Sequence, residues 1–212
     1  MEVEIREKIF REFEGEVLLK GGYPVSVFSF CKHLEIEERL FYSRFSSFEA
    51  LEAILWKTWL DEAVSMVEAD AEAGSFSAKE RYLTLIFSFL EILRDHRSWV
   101  LVRFPGTTTA LNCRRFERMR DSFFEFANRL SLVLPVEEVT SRLAPSDWKS
   151  KLLFPHLLSV VEYFQRDDSD GFGRTDAYVE KSVRTLFEVL EGNLLDSGFD
   201  LVRFLFGDSK KR

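Results

Sequence analysis

Cysteine, histidine and proline are all scarce in this sequence of 212 residues. The two cysteines, Cys31 and Cys113, and the three histidines have no spacing that suits a disulfide framework or a metal centre. No apolar run approaches the ~18–20 residues of a membrane span. Stretches of β-branched residues that alternate with polar ones are almost absent, so the sequence does not predict a sheet. We therefore expect an all-α protein that needs neither a metal nor another cofactor.

Apolar residues recur instead with the 3.6-residue period of helices, and phenylalanine is unusually common at 22 copies. The pattern predicts a long helix over 47–73 and a further helix that begins at a capping box of Ser77 and Glu80. It also predicts one long helix from Thr107 or Thr108 through Leu132. Thr175 is expected to cap the last helical segment, which would extend to Phe206.

The stretch from Val27 to Leu51 predicts a helix, a tight turn and a second helix, followed by the start of a third. The second helix would cover Glu38 to Phe45, and Ser46 with Glu49 would form a capping box for the third. Two short helices joined by a tight turn are typical of a helix-turn-helix, whose second helix can enter the major groove of DNA.

This stretch resembles the N-terminal domain of tetracycline-repressor-like (TetR) regulators over about the first quarter of the chain. The residues that carry the resemblance are Gly22-Tyr23, Val27, Phe30-Cys31, Leu34, Ile36, Leu40-Phe41-Tyr42, Phe45 and the pattern Ser47-x-Glu49-x-Leu51. The resemblance implies a three-helix DNA-binding domain over 1–46 and a helical ligand-binding and dimerisation domain over 47–212. It also implies a homodimer held by the last two helical segments, roughly 146–165 and 175–206.

As a TetR-like protein, the chain is expected to be a transcriptional regulator that binds DNA and responds to a small hydrophobic ligand. The predicted DNA-binding residues are Arg39, Tyr42, Ser43 and Arg44. The predicted ligand-binding residues, which are apolar positions of the body helices, are Tyr82, Ile86, Phe89, Leu90, Leu93, Trp99, Phe116, Phe123 and Phe124. The same residues could instead form a filled aromatic core, since aromatic side chains usually bury against each other.

Several positions that face DNA in the family carry other residues here. Glu35 stands where the family has its turn glycine, Glu37 and Glu38 replace a serine and a lysine, and Phe48 replaces a lysine. Residues 1–55 contain seven Lys and Arg against eleven Asp and Glu, a net charge of −4. DNA affinity comes mostly from neutralising phosphates. A second interpretation therefore stays open, in which the fold has lost DNA binding and serves as a carrier of lipids or other hydrophobic ligands, or as an interaction module.

No arrangement of nucleophile, base and acid is visible, so the sequence does not predict an enzyme. The acidic loop Asp167–Gly173 does not suit calcium, because aligning Gly171 on the turn glycine puts Arg166 and Ala177 at the first and last ligand positions. The charged start of the chain does not resemble a signal peptide, and we expect a cytoplasmic protein.

Overall fold

A computed structural model describes residues 2–69, 75–132 and 147–191, and all its regular elements are helical. The expectation of an all-α fold is therefore confirmed. The helices are α1 (Glu2–Lys20), α2 (Val27–Leu34), α3 (Glu38–Tyr42), α4 (Phe48–Ala69), α5 (Ala78–Asp95), α6 (Arg97–Arg103), α7 (Thr107–Asn112), α8 (Glu117–Arg129), α9 (Trp148–Arg166) and α10 (Gly173–Glu191). Two 3₁₀ turns, Arg114–Phe116 and Asp170–Phe172, precede α8 and α10.

The first three helices form a small unit, here called the head. Helix α1 ends where Gly21 takes a left-handed conformation with φ of +70° and its N–H bonds the carbonyl of Val17 at 2.8 Å. Four buried rings, those of Phe13, Phe30, Phe41 and Phe48, fill the centre of the head. Their centroids lie 5.5–6.4 Å apart in stacked and edge-to-face pairs, the arrangements that aromatic rings prefer.

The remaining helices, α4 to α10, form the body. Helix α4 starts in the head, where Phe48 is part of the aromatic core, and runs on into the body between α5 and α8. Helix α9 covers α7 and α8, and α10 packs on α5 and α9. One continuous hydrophobic core extends through both parts, so the head is tied to the body by packing as well as by the chain.

The predicted helix over 107–132 is wrong as a single element. Cys113 has extended backbone angles (φ −95°, ψ 128°), and the chain forms α7, a 3₁₀ turn and α8 instead. The turn contains Arg115, whose guanidinium lies 3.4 Å from the Cys113 sulfur and 3.0 Å from the carboxylate of Glu52 in α4. A long-range ion pair thus accompanies a break that neither glycine nor proline signals in the sequence.

Two of the predicted helix caps also need correction. Ser47, not Ser46, caps α4, because its Oγ accepts the N–H of Ala50 at 3.2 Å. Thr175 lies inside α10 and is itself capped by Asp167. The capping box of Ser77 and Glu80 at the start of α5 is confirmed, and these hydrogen bonds lower the pKa of Glu80. The predicted ends of two helices, 70–73 and 192–206, lie outside the described residues.

Candidate functional site

The turn between α2 and α3 has the geometry that the sequence predicts for a helix-turn-helix. Ser26 caps α2 by accepting the N–H of Ser29 at 3.1 Å. At the other end, Glu35 adopts the left-handed conformation (φ 57°, ψ 39°). The N–H groups of Glu35 and Ile36 bond the carbonyls of Lys32 and Cys31, which is the pattern of a Schellman cap. Glutamate therefore occupies a backbone position that favours glycine.

Three of the four predicted DNA-binding residues share the exposed face of α3. Arg39, Tyr42 and Ser43 are all exposed, and their spacing of three and four residues puts them on one side of the helix. Within the described part of the chain, Arg39 has no ion pair. Arg44 is half-buried and lies beyond the end of α3, which stops at Tyr42 and not at Phe45 as the sequence predicted. A basic, an aromatic and a hydroxyl side chain on one exposed face suit contacts with phosphates and base edges.

Acidic groups lie beside this face. Glu35 and Glu37 are exposed and Glu38 is half-buried. Phe48, which replaces a lysine of the family pattern, is only 8% exposed and belongs to the core of the head. Phe48 therefore joins the head to α4, and it adds no exposed hydrophobic group beside α3.

A buried carboxylate, that of Glu52 in α4, connects the head to the body. Glu52 is fully buried, and its two oxygens accept hydrogen bonds from residues far apart in the sequence. Arg103 at the end of α6 donates from Nη2 at 2.7 Å, and Arg115 before α8 donates from Nη1 at 3.0 Å. The hydroxyl of Tyr23, in the loop after α1, donates at 2.6 Å. We call these four residues the Glu52 cluster.

The Glu52 cluster places an ion pair against the head's aromatic core. The guanidinium of Arg103 lies 4.6 Å above the ring of Tyr23, which in turn stacks on Phe13 at 6.0 Å. Burial raises the pKa of Tyr23, and its hydrogen bond to Glu52 raises it further, so the phenol keeps its proton and remains a donor. The Glu52 cluster thus connects α6 and the turn before α8 to Tyr23 in the loop after α1.

A second contact between head and body lies where α5 meets α6. His96 Nδ1 is 2.7 Å from the Glu14 carboxylate of α1, and the imidazole stacks on Trp59 of α4 at 4.3 Å. Trp99 of α6 packs against Phe13 at 5.6 Å. Helix α6 therefore contacts α1 through its first turn and Glu52 through its last residue, so it joins head and body together with α4.

The residues predicted to bind a ligand lie in the body, but most of them are packed. Eight of the nine are at most 1% exposed, and they are Tyr82, Ile86, Phe89, Leu90, Leu93, Trp99, Phe116 and Phe123. They contact other core rings, as Phe123 does with Tyr82 at 6.3 Å. Phe124 is half-buried and lines a groove of about 410 Å³ between α7, α8 and α9.

A polar chain that the sequence did not reveal runs through the body beside these rings. The hydroxyl of Tyr82 donates to the carbonyl of Leu153 at 2.9 Å and lies 2.9 Å from His156 Nδ1. Nε2 of His156 is 3.0 Å from the hydroxyl of Ser182 in α10. Burial lowers the pKa of His156 to about 4, so the imidazole is neutral near pH 7.

The predicted dimerisation segments correspond to α9 and α10 over the described residues. Their apolar residues Leu157, Leu158 and Val161 are buried within the chain itself. The outer surface of the two helices is a shallow groove of about 730 Å³, in which the rings of Tyr163 and Tyr178 stack with centroids 4.3 Å apart.

Among residues 2–69, 75–132 and 147–191, no three His, Cys, Asp or Glu side chains come together as a metal site requires. None of the helices in these ranges combines the length and the apolar character that crossing a bilayer requires.

The fold defines a class of all-helical proteins. In this class a long helix, here α4, joins a helix-turn-helix to a helical body. A protein-family model described as "Tetracyclin repressor-like, C-terminal domain" matches residues 81–205, more than half of the chain. The chain therefore belongs to the tetracycline-repressor-like (TetR) family of regulators. The match covers the body, whereas the resemblance in the sequence lay in the head. Comparison with curated proteins gives no match.

Proposed function

We propose that the protein is a dimeric transcriptional regulator that binds DNA through α3 and is controlled by a small hydrophobic ligand in its body. The observation that carries this proposal is the exposed face of α3, where Arg39, Tyr42 and Ser43 lie together. A helix-turn-helix binds by inserting such a face into the major groove. A regulator of this kind acts on chromosomal DNA, so we also expect it in the cytoplasm, without enzymatic activity.

The Glu52 cluster supplies the route from ligand to DNA. A ligand that displaced α6 or α8 would pull on Arg103 or Arg115, and through Glu52 on the first turns of α4. The loop after α1 would follow because Tyr23 donates to the same carboxylate. In a dimer, tilting α4 in both protomers would change the separation of the two α3 helices, which must match the spacing of the half-sites on DNA.

We further propose that the two protomers meet through the outer groove of α9 and α10. Its apolar and aromatic side chains include Tyr163, Tyr178 and Leu186. Two such helix pairs would form a four-helix bundle. The predicted continuation of this face beyond residue 191 lies outside the described residues.

A second candidate function rests on the acidic residues beside α3. Exposed Glu35 and Glu37 would lie near phosphates in a DNA complex and would repel them. In this alternative the chain keeps the fold of the family but binds a hydrophobic ligand or another protein instead of DNA. Native mass spectrometry that found a co-purified apolar molecule, together with no DNA binding at low salt, would favour this alternative.

The regulator proposal is tested by selecting duplexes from a random pool on the purified full chain at low salt. We expect enrichment of a palindromic site, because a two-fold symmetric dimer binds two equivalent half-sites. Arg39→Ala should abolish the enrichment. Arg118→Ala is the matched control, since Arg118 is an exposed arginine of α8 in the body. An unenriched pool, or equal enrichment by wild type and Arg39→Ala, would count against the proposal.

A further inference from the structure

The groove between α7, α8 and α9 has the features of a binding site rather than of a packing defect. Its volume of about 410 Å³ falls within the ~300–1,000 Å³ of small-molecule sites. Phe124 and Phe154 form an apolar wall, with ring centroids 6.5 Å apart. Leu111 and Pro155 line the groove as well. An apolar wall of this kind suits the hydrocarbon part of a ligand.

Ser150 lines the groove with a hydroxyl group. The residue is 0% exposed, and its hydroxyl has no hydrogen-bond partner in the part of the chain that the structure describes. An unpaired buried hydroxyl costs free energy, because it has given up its hydrogen bonds to water without replacing them. Because Ser150 lines the groove, a bound molecule with a hydrogen-bond acceptor could pair with this hydroxyl.

The charged residues of the groove favour an anion. Arg120 is half-buried and makes no ion pair with any described residue. Lys151 is paired with Asp147 at 3.0 Å, and Asp121 is exposed at the rim. An arginine with free donors binds a carboxylate through two parallel hydrogen bonds. Arg120 and the Ser150 hydroxyl thus offer donors to one anionic group beside an apolar wall.

We propose that this groove binds a small carboxylate with an apolar body, held by Arg120 and Ser150 at its charged end and by Phe124 and Phe154 along its chain. This groove would be the ligand site of the proposed regulator. Only the effect of the ligand on DNA binding rests on that proposed function. Helix α8 connects the two, because Arg115 of the Glu52 cluster lies in the turn that leads into it. Ser122 of α8 also donates a hydrogen bond to Asp61 of α4.

Calorimetric titration of the full chain with octanoate, and with octan-1-ol as the uncharged match, tests the site. We expect one octanoate per chain and an affinity for octan-1-ol about tenfold lower or more, because the alcohol carries no negative charge and cannot accept two parallel hydrogen bonds from Arg120. Arg120→Ala should weaken octanoate about tenfold and leave octan-1-ol unchanged. Ser150→Ala should weaken octanoate several-fold without lowering the Tm, since its hydroxyl stabilises nothing in the free protein.

The control is Arg118→Ala, which removes an exposed arginine of the same helix. This variant should bind octanoate as the wild type does. The proposal is overturned if wild type binds no octanoate, binds both probes equally, or if the Arg118 and Arg120 variants lose the same affinity. DNA binding is measured separately. Octanoate that binds as expected but leaves DNA affinity unchanged would support the site and contradict ligand control.

Discussion

Replacing Glu52 by glutamine should destabilise the protein more than any other single loss of charge in α4. The substitution keeps the shape of the side chain and removes its negative charge. Two guanidinium groups, those of Arg103 and Arg115, would then face each other without the carboxylate that they share. The Tyr23 hydroxyl would keep only a neutral acceptor.

The magnitude follows from the burial of the partners. Breaking a fully buried ion pair typically costs about 3–5 kcal/mol. Glu52 is fully buried, but the side chains of Arg103 and Arg115 are 15% and 19% exposed, so water can solvate them in part. We therefore expect the low end of that range, a loss of about 3 kcal/mol in the free energy of unfolding.

Urea unfolding followed by circular dichroism, at one fixed protein concentration, measures this loss. Glu49→Gln is the control, an exposed glutamate one turn earlier in α4 that should change stability by less than about 0.5 kcal/mol. Hydrogen exchange should also quicken in the loop of residues 21–26, which Tyr23 ties to Glu52. A loss below about 1 kcal/mol, with unchanged exchange in that loop, would refute the role of the Glu52 cluster as a tie between head and body.

The remaining predictions concern the backbone, a histidine and a cap. Glu35→Gly should stabilise the fold by about 0.5–1 kcal/mol in urea unfolding, because it relieves a left-handed glutamate, whereas Lys32→Gly inside α2 should destabilise it by a similar amount. Since burial lowers the pKa of His156 to about 4 from 6.5, the unfolded chain takes up a proton first as pH falls. Stability should thus drop by about 2 kcal/mol between pH 7 and pH 4.5, and His156→Gln should remove most of that drop in the same assay. Asp167→Asn should cost about 1–2 kcal/mol, because Asp167 accepts hydrogen bonds from Ser169 and Thr175, while exposed Asp168→Asn should be nearly silent in thermal melts.

Local sequence signals predicted the helical fold well because they depend on neighbouring residues. The apolar period gave α1, α2, α4 and α5, and the box of Ser77 and Glu80 marked the start of α5 correctly. The turn before α3 was recognisable despite Glu35, because the apolar residues around it keep their spacing. The turn keeps its geometry without a glycine, because Glu35 itself adopts the left-handed conformation.

Contacts between distant residues could not be predicted in the same way. The partners of Glu52 lie 29, 51 and 63 residues away, so its carboxylate looked like one more acidic group of an acidic segment. The break at Cys113 was missed for the same reason. Residues 107–132 have good helical periodicity, and the ion pair of Arg115 with Glu52 that accompanies the break joins residues far apart in the sequence. For the body aromatics, the sequence could not distinguish a cavity wall from filled core, because both require apolar residues on the inner face.

Glu37 and Glu38 are two acidic residues at the start of α3, the helix proposed to bind DNA. Glu37 precedes the helix with extended backbone angles, and its side chain forms no hydrogen bond to cap the helix. The charge at this position therefore has no structural role that the described contacts reveal. If α3 enters the major groove, neutralising Glu37 with glutamine should tighten binding to DNA, since one repulsive charge per protomer is removed.

Fluorescence anisotropy with random-sequence duplex DNA across a salt series tests the central claim, that the head binds DNA, most directly. If Arg39 and Arg44 each neutralise a phosphate in both protomers, log K should fall with log salt at a slope of about −3 to −4, from ~0.9 for each phosphate. Arg39→Ala should make that slope shallower by about 2, and Arg118→Ala should leave it unchanged. An absence of binding even at low salt would contradict the claim and would favour a TetR-family protein that has lost DNA and kept its ligand.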